Sequence, residues 1–336
     1  MKIFENYSLL KHNTFGLDIK TRWFVEYEDE SDLEKLLSDE YFFSMSFIHI
    51  GQGSNLLFLG DYPGVVVHSS IKNIEILDEN ENDIRIKVGA GVDWDDFVAY
   101  CVSKGWGGIE NLSLIPGEVG ASAVQNIGAY GVEACDTLIE VHTYNVETGE
   151  KQLFRNEDCK FAYRHSIFKE EDYKGKNFIA YLVYKLSKKP VYNLEYGNLK
   201  EILDGKEVNL QTIRDAIISV RESKLPDPKT FGNAGSFFMN PYVCVAHYEE
   251  LLKKYPNIPS YPVNEKVVKI PAAWLIEQCK LKGKTIGGAA IHDKQALVII
   301  NNGTATADDI ASLASLVCDT VKEKFGIELN REVLFV

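Results

Sequence analysis

Ser236 has the surroundings that could most directly support chemistry. It lies in the segment Gly232-Asn233-Ala234-Gly235-Ser236-Phe237-Phe238-Met239-Asn240-Pro241. Glycine relaxes the steric limits on φ and ψ, so this backbone can turn sharply and approach a ligand closely. The two phenylalanines could anchor that turn in a core. The segment therefore predicts either an exposed serine in a binding site or an ordinary tight loop.

The surroundings of Ser236 are not those of a hydrolase nucleophile. The G-x-S-x-G elbow is missing, and neither His247 nor Asp227 stands in a spacing that would pair it with the serine. The seven histidines include no H-x-x-x-H pair, so metal-dependent hydrolysis has no support. Six cysteines without a C-x-x-C pair predict reduced thiols rather than a disulfide framework or a metal site.

Two glycine-rich segments could bind an anion. Gly51-Gln52-Gly53-Ser54-Asn55 lacks the G-x-G-x-x-G pattern and no long helix follows it, which disfavours a Rossmann site. Its backbone amides could still surround a phosphate. Pro116-Gly117-Glu118-Val119-Gly120-Ala121 offers a second compact turn, and the amides of Gln125 and Asn126 could bind the edge of a heterocycle. Together they suggest a large cofactor with a pyrophosphate; two structural turns are the alternative.

Two charged residues are candidates of a different kind. Arg164 lies between Tyr163 and Ser166 in a mainly apolar context, and a guanidinium is suited to bidentate binding of a carboxylate or phosphate. Without a known partner, a surface arginine is the simpler interpretation. Glu332 has no local signal of burial, and a single glutamate is ordinarily solvated.

Chain length, net charge and the lengths of apolar runs limit the class of protein. A chain of 336 residues exceeds one typical core and predicts two or three domains. A net charge of −13 argues against a nucleic-acid or anionic-membrane partner. There is no apolar run of about 20 residues and no signal-peptide h-region, so a cytoplasmic protein is expected.

Periodicity and capping residues predict a mixture of helices and strands around these segments. Residues 187–204 form a polar stretch that suggests an inserted loop. Predicted strands cover residues 47–50, 84–88, 139–144, 179–186, 289–292 and 297–301, with further helices at 243–254 and 272–278. Four other helices are expected after capping residues, and Gly326 should end the last of them; these caps are Ser31, Asp93, Thr212 and Thr306.

The ordered set of motifs resembles the UDP-N-acetylenolpyruvoylglucosamine reductase (MurB) family, in its longer variant with a tyrosine in the inserted loop. The resemblance covers essentially the whole chain. Besides the segments already quoted, it is carried by His12-Asn13-Thr14-Phe15-Gly16, Ile115-Pro116-Gly117, Gln125-Asn126-Ile127-Gly128-Ala129-Tyr130-Gly131, Tyr163-Arg164-His165-Ser166-Ile167-Phe168, Lys224-Leu225-Pro226-Asp227-Pro228, Ile286-Gly287-Gly288-Ala289-Ala290-Ile291-His292 and Glu332-Val333.

This resemblance implies an α+β protein with the two-domain FAD-binding fold of the PCMH type (vanillyl-alcohol-oxidase-like) and a third, substrate-binding α+β domain. By the same resemblance, NADPH reduces FAD and leaves. The enolpyruvyl ether of UDP-N-acetylglucosamine then receives a hydride from flavin N5 at C3, and UDP-N-acetylmuramate forms after a proton reaches C2. Such a site must stabilise an enolate and deliver one proton.

The family's functional positions fall on named residues of this chain. Arg164 would polarise the substrate carboxylate, Glu332 would assist beside it as a neutral acid if the site is dry, and Ser236 would protonate C2. The implied cofactor-binding residues are Gly51, Gln52, Gly53, Ser54, Asn55, Leu56, Ile115, Pro116, Gly117, Gly120, Ala121, Gln125, Asn126, Gly128, Ala129 and Tyr130. The implied substrate-binding residues are Tyr196, Arg221, Lys224, Asn240, Lys282 and Gln295, with Tyr196 on a mobile lid.

Two residues depart from the family pattern. Leu334 stands where arginine is common, and Met239 stands where lysine is common. A positive charge near the flavin could therefore be missing or supplied elsewhere. Other hypotheses are a flavin oxidoreductase acting on a different alcohol or sugar, and a UDP-sugar-binding protein without catalysis; a serine hydrolase is third.

The resemblance also suggests domain boundaries. We expect a first FAD-binding subdomain at residues 1–70, joined by 326–336, and a second at 71–222 that carries the inserted loop. A substrate domain would follow at 223–325. The expected partner is a small-molecule substrate, with no metal ion, and the protein is expected to be a monomer.

Overall fold

The computed structural model describes residues 1–336, which form nine α-helices and twenty strands. The helices are α1 Glu30–Leu37, α2 Glu40–Phe43, α3 Trp94–Ser103, α4 Val119–Gln125, α5 Leu199–Ile202, α6 Leu210–Lys224, α7 Val245–Lys254, α8 Ala272–Gln278 and α9 Ala307–Phe325. None of them combines the length and the apolar character that crossing a bilayer requires.

The strands are mostly short. They are β1 Lys2–Ser8, β2 Lys20–Tyr27, β3 Phe47–Ile50, β4 Leu56–Leu57, β5 Tyr62–Ser69, β6 Ile74–Glu79, β7 Asp83–Gly89, β8 Gly128–Ala129, β9 Val132–Glu133, β10 Leu138–Asn145, β11 Lys151–Arg155, β12 Asn177–Ser187, β13 Gly232–Ser236, β14 Tyr242–Cys244, β15 Tyr261–Asn264, β16 Val267–Lys269, β17 Thr285–Ile286, β18 Ala289–Ile291, β19 Val298–Asn301 and β20 Leu334–Phe335.

The chain folds into two compact units. The first unit contains residues 1–7, 20–52 and 62–223, and the second contains residues 8–19, 53–61 and 224–336. Both units are therefore discontinuous in sequence. The three-domain division expected from the sequence stays a prediction.

The first unit is built on two sheets. One has the order β1-β2-β5-β3, in which β5 pairs in parallel with both β2 and β3. The other has the order β11-β10-β12-β7-β6 and is antiparallel throughout. Helix α3 buries Trp94, Phe97 and Val98 in one core with residues of β7 and β12. Helix α1 buries Leu33 and Leu36 in a second core with residues of β2 and β5.

The second unit contains a sheet of order β13-β19-β18-β17 and a sheet of order β14-β16-β15. The apolar face of α9, which includes Leu313 and Val317, is buried. A short parallel pair joins β4 to β20, with Leu56 opposite Leu334 and Leu57 opposite Phe335. This pairing brings residues near position 56 beside the segment that contains Glu332.

Local signals predicted some boundaries well. Asp93 caps α3 by accepting from the backbone amides of Asp95 and Asp96. Thr306 caps α9 in a reciprocal capping box, and Gly326 ends that helix with φ of +68°. Both are interactions within one turn of the chain, where sequence spacing is most informative.

Other local predictions are wrong because a neighbouring residue competes. Helix α1 is capped by Asp29, whose side chain accepts from Asp32, and not by Ser31. Helix α6 starts at Leu210 behind Asn209, whose side-chain oxygen accepts from the amide of Thr212. The stretch 187–204 is not wholly a loop, since α5 lies within it.

Candidate active site

The first glycine-rich segment follows β3 directly. Gln52 Nε2 donates to Asp93 Oδ2 over 2.6 Å, so this side chain is held by the fold. The backbone amides of Gln52 and Gly53 donate no hydrogen bond within the chain. Gly53 has φ of +67°, and a Cβ atom there would lie 2.0 Å from the carbonyl oxygen of His12, so only glycine fits. Successive unpaired amides beside a left-handed residue suit an anion such as a diphosphate.

The second glycine-rich segment leads into α4, a helix that was not expected from the sequence. The amides of Val119 and Gly120 donate to the carbonyl oxygens of Val92 and Ala90, each over 2.9 Å. The fold therefore uses these two donors. The amide of Gly117 donates no hydrogen bond within the chain, although the residue is buried, so this donor is left for a ligand to satisfy.

Asn126, predicted to contact the cofactor, has a structural role in the fold. Its Nδ2 donates to Glu133 Oε2 and to the carbonyl oxygen of Ala162, each over 3.0 Å, and its Oδ1 accepts from the amide of Cys135. The residue is fully buried with φ of +44°. Its amide is therefore occupied within the chain, and any contribution to a cofactor site would come through the segment it holds. Gln125 accepts from Lys169 Nζ over 3.1 Å.

Arg164 stands at the tip of a two-residue turn. Ala162 and His165 exchange backbone hydrogen bonds on either side of it, and Arg164 has φ of +53°. A left-handed backbone conformation is uncommon for a residue with a long side chain. Where it does occur, it is often at a functional site. The guanidinium donates to the carbonyl oxygen of Gly128 over 2.9 Å and lies 5.4 Å from the ring centroid of Tyr163. The turn therefore fixes where this charge is presented.

Arg221 on α6 adds a second cation to the same part of the first unit. Burial lowers the pKa of Arg221 most strongly, electrostatic interactions with Tyr130 and Asp95 raise it, and the positive charge of Arg164 lowers it further. A bound anion would relieve the repulsion between two such arginines. Burial also raises the pKa of Tyr130, which keeps its hydroxyl protonated.

Leu114 is held between two helices in a way that sequence reasoning missed. Its amide donates to Asp95 Oδ1 on α3, and its carbonyl oxygen accepts from Arg221 Nε over 3.2 Å. Asp95 also receives two hydrogen bonds from Arg214, at 2.6 and 2.8 Å. This network positions the start of the second glycine-rich segment. Only the pairing of α3 with α6, which no local pattern encodes, could have revealed it.

The inserted loop is attached to the Tyr130 turn. Asn111 Nδ2 donates to the carbonyl oxygens of Tyr130 and Asn193, over 2.9 and 2.8 Å, and Asn193 Nδ2 donates to the carbonyl oxygen of Gly131. The rings of Tyr196 and Tyr130 meet edge to face with centroids 6.3 Å apart. Tyr196 remains half exposed. The structure thus gives Tyr196 a defined position, while its movement as a lid stays a prediction.

Ser236 ends a strand rather than standing in a free turn, which corrects the expectation of a loop. Strand β13 pairs with β19, and the register shifts between Asn233 and Ser236 as in a β-bulge. Gly235 takes φ of +69° in this bulge. Phe237 and Phe238 are fully buried, as predicted. The half-buried Ser236 hydroxyl makes no hydrogen bond within the chain, so it is available to a ligand.

Glu332 is brought beside Ser236 by its backbone. Its amide donates to the carbonyl oxygen of Phe237 over 2.8 Å. Asn55 holds the same segment, because its Nδ2 donates to the carbonyl oxygen of Glu332 and its own carbonyl oxygen accepts from the amide of Leu334. The side chain of Asn55, predicted to bind cofactor, therefore positions Glu332. Within the second unit, Ser236 and Glu332 form one cluster.

The remaining predicted binding residues differ in their availability. Lys224 is exposed at the end of α6. Asn240 Oδ1 accepts from the amide of Ala272 at the start of α8, which leaves its NH₂ group for a ligand. Lys282 is paired with Glu277 over 2.6 Å, so a substrate would have to compete with that carboxylate. Gln295 Oε1 accepts weakly from the amide of Leu297, over 3.4 Å.

Metal-ligating side chains and cysteines are the other groups in the sequence that could be reactive. No set of three or more His, Cys, Asp or Glu side chains is placed to hold a metal ion. All six cysteines are free. For the residues Ser54, Leu56, Ile115, Pro116, Ala121, Gly128 and Ala129, the predicted cofactor contacts stay predictions.

Comparison with protein families assigns both parts of the chain. A model of the C-terminal domain of UDP-N-acetylenolpyruvoylglucosamine reductase matches residues 227–336. A model of an FAD-binding domain matches residues 21–152. Both glycine-rich segments lie wholly inside this FAD-binding match.

Curated relatives match over their whole length. The UDP-N-acetylenolpyruvoylglucosamine reductase of Porphyromonas gingivalis is 48% identical over 338 residues, covering 100% of both chains. The enzyme of the same name from Bacteroides fragilis is 49% identical over 333 residues, covering 99% of each.

Solved structures share the fold at low sequence identity. UDP-N-acetylenolpyruvylglucosamine reductase from Thermus caldophilus superimposes with a TM-score of 0.68 at 22% identity, covering 99% of this chain and 98% of that one. A 6-hydroxy-D-nicotine oxidase from Arthrobacter nicotinovorans gives a TM-score of 0.51 at 10% identity, covering 97% and 86%. The predicted α+β flavoprotein fold is confirmed.

Proposed function

Because the chain belongs to the UDP-N-acetylenolpyruvoylglucosamine reductase family, we propose that it reduces the enolpyruvyl ether of UDP-N-acetylglucosamine to UDP-N-acetylmuramate for peptidoglycan synthesis. The observation that carries the proposal is the identity of 48% over the full length of a named reductase. NADPH is the proposed electron donor, and the protein is proposed to act as a cytoplasmic monomer.

The cofactor is FAD, and the first unit offers groups that suit it. The amides of Gln52 and Gly117 donate no hydrogen bond within the chain, and each stands in a glycine-rich segment inside the FAD-binding match. Backbone amides of this kind stabilise a diphosphate without a side chain. Bound FAD supplies the hydride for C3 of the enolpyruvyl group. The chain itself must orient the substrate, stabilise negative charge and supply the proton.

Arg164 is proposed to bind the substrate carboxylate. Hydride addition at C3 places negative charge on C2 and on this carboxylate, so a fixed guanidinium becomes more stabilising as charge develops. Arg164 is held by its turn and by Gly128, and needs little rearrangement to act. The partly buried Arg221 strengthens the positive potential in the first unit.

Ser236 is proposed to protonate C2. A serine hydroxyl is a weak acid, and its role depends on placement against a strongly basic carbon rather than on a shifted pKa. The absence of any hydrogen bond from its hydroxyl to the chain supports this assignment. Glu332, held by Phe237 and Asn55, is proposed to assist at the carboxylate. Lys224, Asn240, Lys282, Gln295 and Tyr196 are proposed to bind the UDP-sugar.

A spectroscopic experiment tests the whole proposal. Gently purified protein should be yellow, and NADPH should bleach its flavin absorbance in the absence of oxygen. The colour should return on addition of the enolpyruvyl UDP-sugar, and UDP-N-acetylglucosamine without the enolpyruvyl group is the control that should leave it bleached. A colourless protein, or a bleached protein indifferent to the enolpyruvyl substrate, would refute the proposal.

A further inference from the structure

In the first unit, a buried histidine lies between two carboxylates, close to the second glycine-rich segment and to residues 51–52, which begin the first one. His68 on β5 is 6% exposed. Its Nε2 lies 2.9 Å from Glu118 Oε1, and its Nδ1 lies 3.2 Å from Glu26 Oε2. Nothing in the proposed chemistry uses these three residues, and no sequence motif singled out His68.

The hydrogen bonds require one extra proton. A neutral imidazole donates through one nitrogen only, and an ionised carboxylate only accepts. Both contacts of His68 can therefore be hydrogen bonds only if the imidazole is charged or one carboxyl is protonated. Glu26 has another cation, since Lys2 Nζ lies 3.2 Å from its Oε1. The carboxylate of Glu118 makes no hydrogen bond other than that to His68, so the proton chiefly neutralises this carboxylate.

Glu118 belongs to one glycine-rich segment and faces the other. It precedes α4 in the second segment, and its Oε2 would lie 3.1 Å from a Cβ atom added to Gly51 in the first. Asp93, which receives the side chain of Gln52, pairs with the backbone of Glu118 in a β-bridge. Two carboxylates thus lie beside segments that are proposed to bind a diphosphate, where an uncompensated negative charge would repel the ligand.

We propose that His68 holds a proton that neutralises Glu118, and that this pair both joins the two glycine-rich segments and raises the affinity of the first unit for the FAD diphosphate. The inference rests on the proposed cofactor site. His68 and Glu118 are positioning residues, because they act through the segments and need not touch the cofactor.

The electrostatic surroundings agree with this assignment. Burial lowers the pKa of His68, but its bonds to Glu118 and Glu26 raise it by more. Burial raises the pKa of Glu118, and His68 opposes that shift only in part. Other titratable groups that face the cluster are Lys2 on β1, Tyr27 on β2, His49 on β3, Lys72 after β5 and Asp93 before α3.

The sign of the pH effect follows from the proton. Because the folded pKa of His68 lies above its ordinary value, the cluster is neutralised at low pH and loses its proton as the pH rises through the folded value. FAD affinity should therefore fall as the pH rises past the folded pKa of His68, which lies above the ordinary 6.5, by no more than tenfold per pH unit for one proton. Substitution of Glu118 by glutamine removes the charge and should abolish the trend.

The test measures FAD released from the holoprotein on serial dilution, at several values between pH 6 and 9. The dissociation constant should rise about tenfold in His68→Gln at pH 7, the scale expected for one charge left uncompensated. Glu118→Gln should bind FAD as the wild type does at pH 7 but without the pH trend. The double variant His68→Gln/Glu118→Gln should recover to within about threefold of the wild type. His142→Gln is the matched control, because His142 pairs with Glu140 over 3.1 Å on β10.

The outcomes separate charge from packing. A double variant that releases FAD as readily as His68→Gln would overturn the inference, since a lost charge partner is restored by removing the charge whereas a lost packing contact is not. A wild-type affinity that is flat from pH 7 to 9 would overturn it too, even if His68→Gln fails to fold. A wild type that binds no FAD at all would refute the proposed function and the inference with it.

Discussion

Replacement of Ser236 by alanine is expected to separate the two halves of the proposed reaction. The Ser236 hydroxyl makes no hydrogen bond within the chain, and the bulge around it is set by Gly235 and by pairing with β19. Its removal should therefore change the free energy of unfolding by no more than about 0.5 kcal/mol. A change in rate can then be attributed to the lost hydroxyl.

The magnitude follows from the role. A positioned proton donor typically contributes about 10²- to 10⁴-fold, which is roughly 2.7 to 5.4 kcal/mol of activation free energy. Anaerobic stopped-flow measurement of flavin absorbance should show bleaching by NADPH within about twofold of the wild-type rate. Reoxidation by the enolpyruvyl substrate should be at least about 100-fold slower.

Ser315→Ala is the matched control, because Ser315 is an exposed serine of α9 in the same unit. It should leave both half-reactions unchanged. If Ser236→Ala slows bleaching and reoxidation equally, or slows neither, Ser236 is not the proton donor.

Two further substitutions test how the site is supported. Asp95→Asn should lower the free energy of unfolding by about 2 kcal/mol in urea, because Arg214 loses two charged hydrogen bonds. Burial raises the pKa of Asp95, but its hydrogen bonds to Arg214 and Leu114 lower it by more. The stabilisation is therefore present above the ordinary pKa of 3.8 and should disappear as the pH falls through the folded pKa. If wild type and Asp95→Asn still differed by about 2 kcal/mol in the free energy of unfolding at pH 2, the ionised Asp95 would not be the source of this stabilisation. Gly235→Ala should lower the free energy of unfolding by roughly 1 to 2 kcal/mol through backbone strain, because φ is +69° while no atom lies within 4 Å of an added Cβ. It should also slow reoxidation of the flavin by displacing Ser236. Unchanged reoxidation would show that backbone strain at Gly235 does not determine the position of Ser236.

Features encoded within one turn of the chain were predictable. The Thr306 capping box and the Gly326 terminus define α9 through contacts between near neighbours. Where two capping residues compete, spacing alone failed, as at Ser31 and Asp29. The choice there depends on where the apolar face of the helix meets its core.

Features made by distant segments were not predictable from local pattern. The glycines around Ser236 suggested a turn, but β19 supplies a partner more than sixty positions away and converts the segment into a bulged strand. Asn126 was expected to contact a heterocycle, but its amide is used by Glu133, Ala162 and Cys135. The family resemblance supplied functional positions because the order of motifs reflects the fold, and not because any motif specifies its own contacts.

The discontinuous make-up of the second unit has a consequence for how it folds. Asn301 bonds to Phe15 across 286 positions, and Asn55 bonds to Glu332 across 277. The first unit contains an uninterrupted stretch from residue 62 to 223. Contacts that are far apart in sequence form slowly, because loop closure must precede them. The cluster of Ser236 and Glu332 should therefore form late in refolding, and proteases or chaperones would encounter that part of the protein while it is still unstructured.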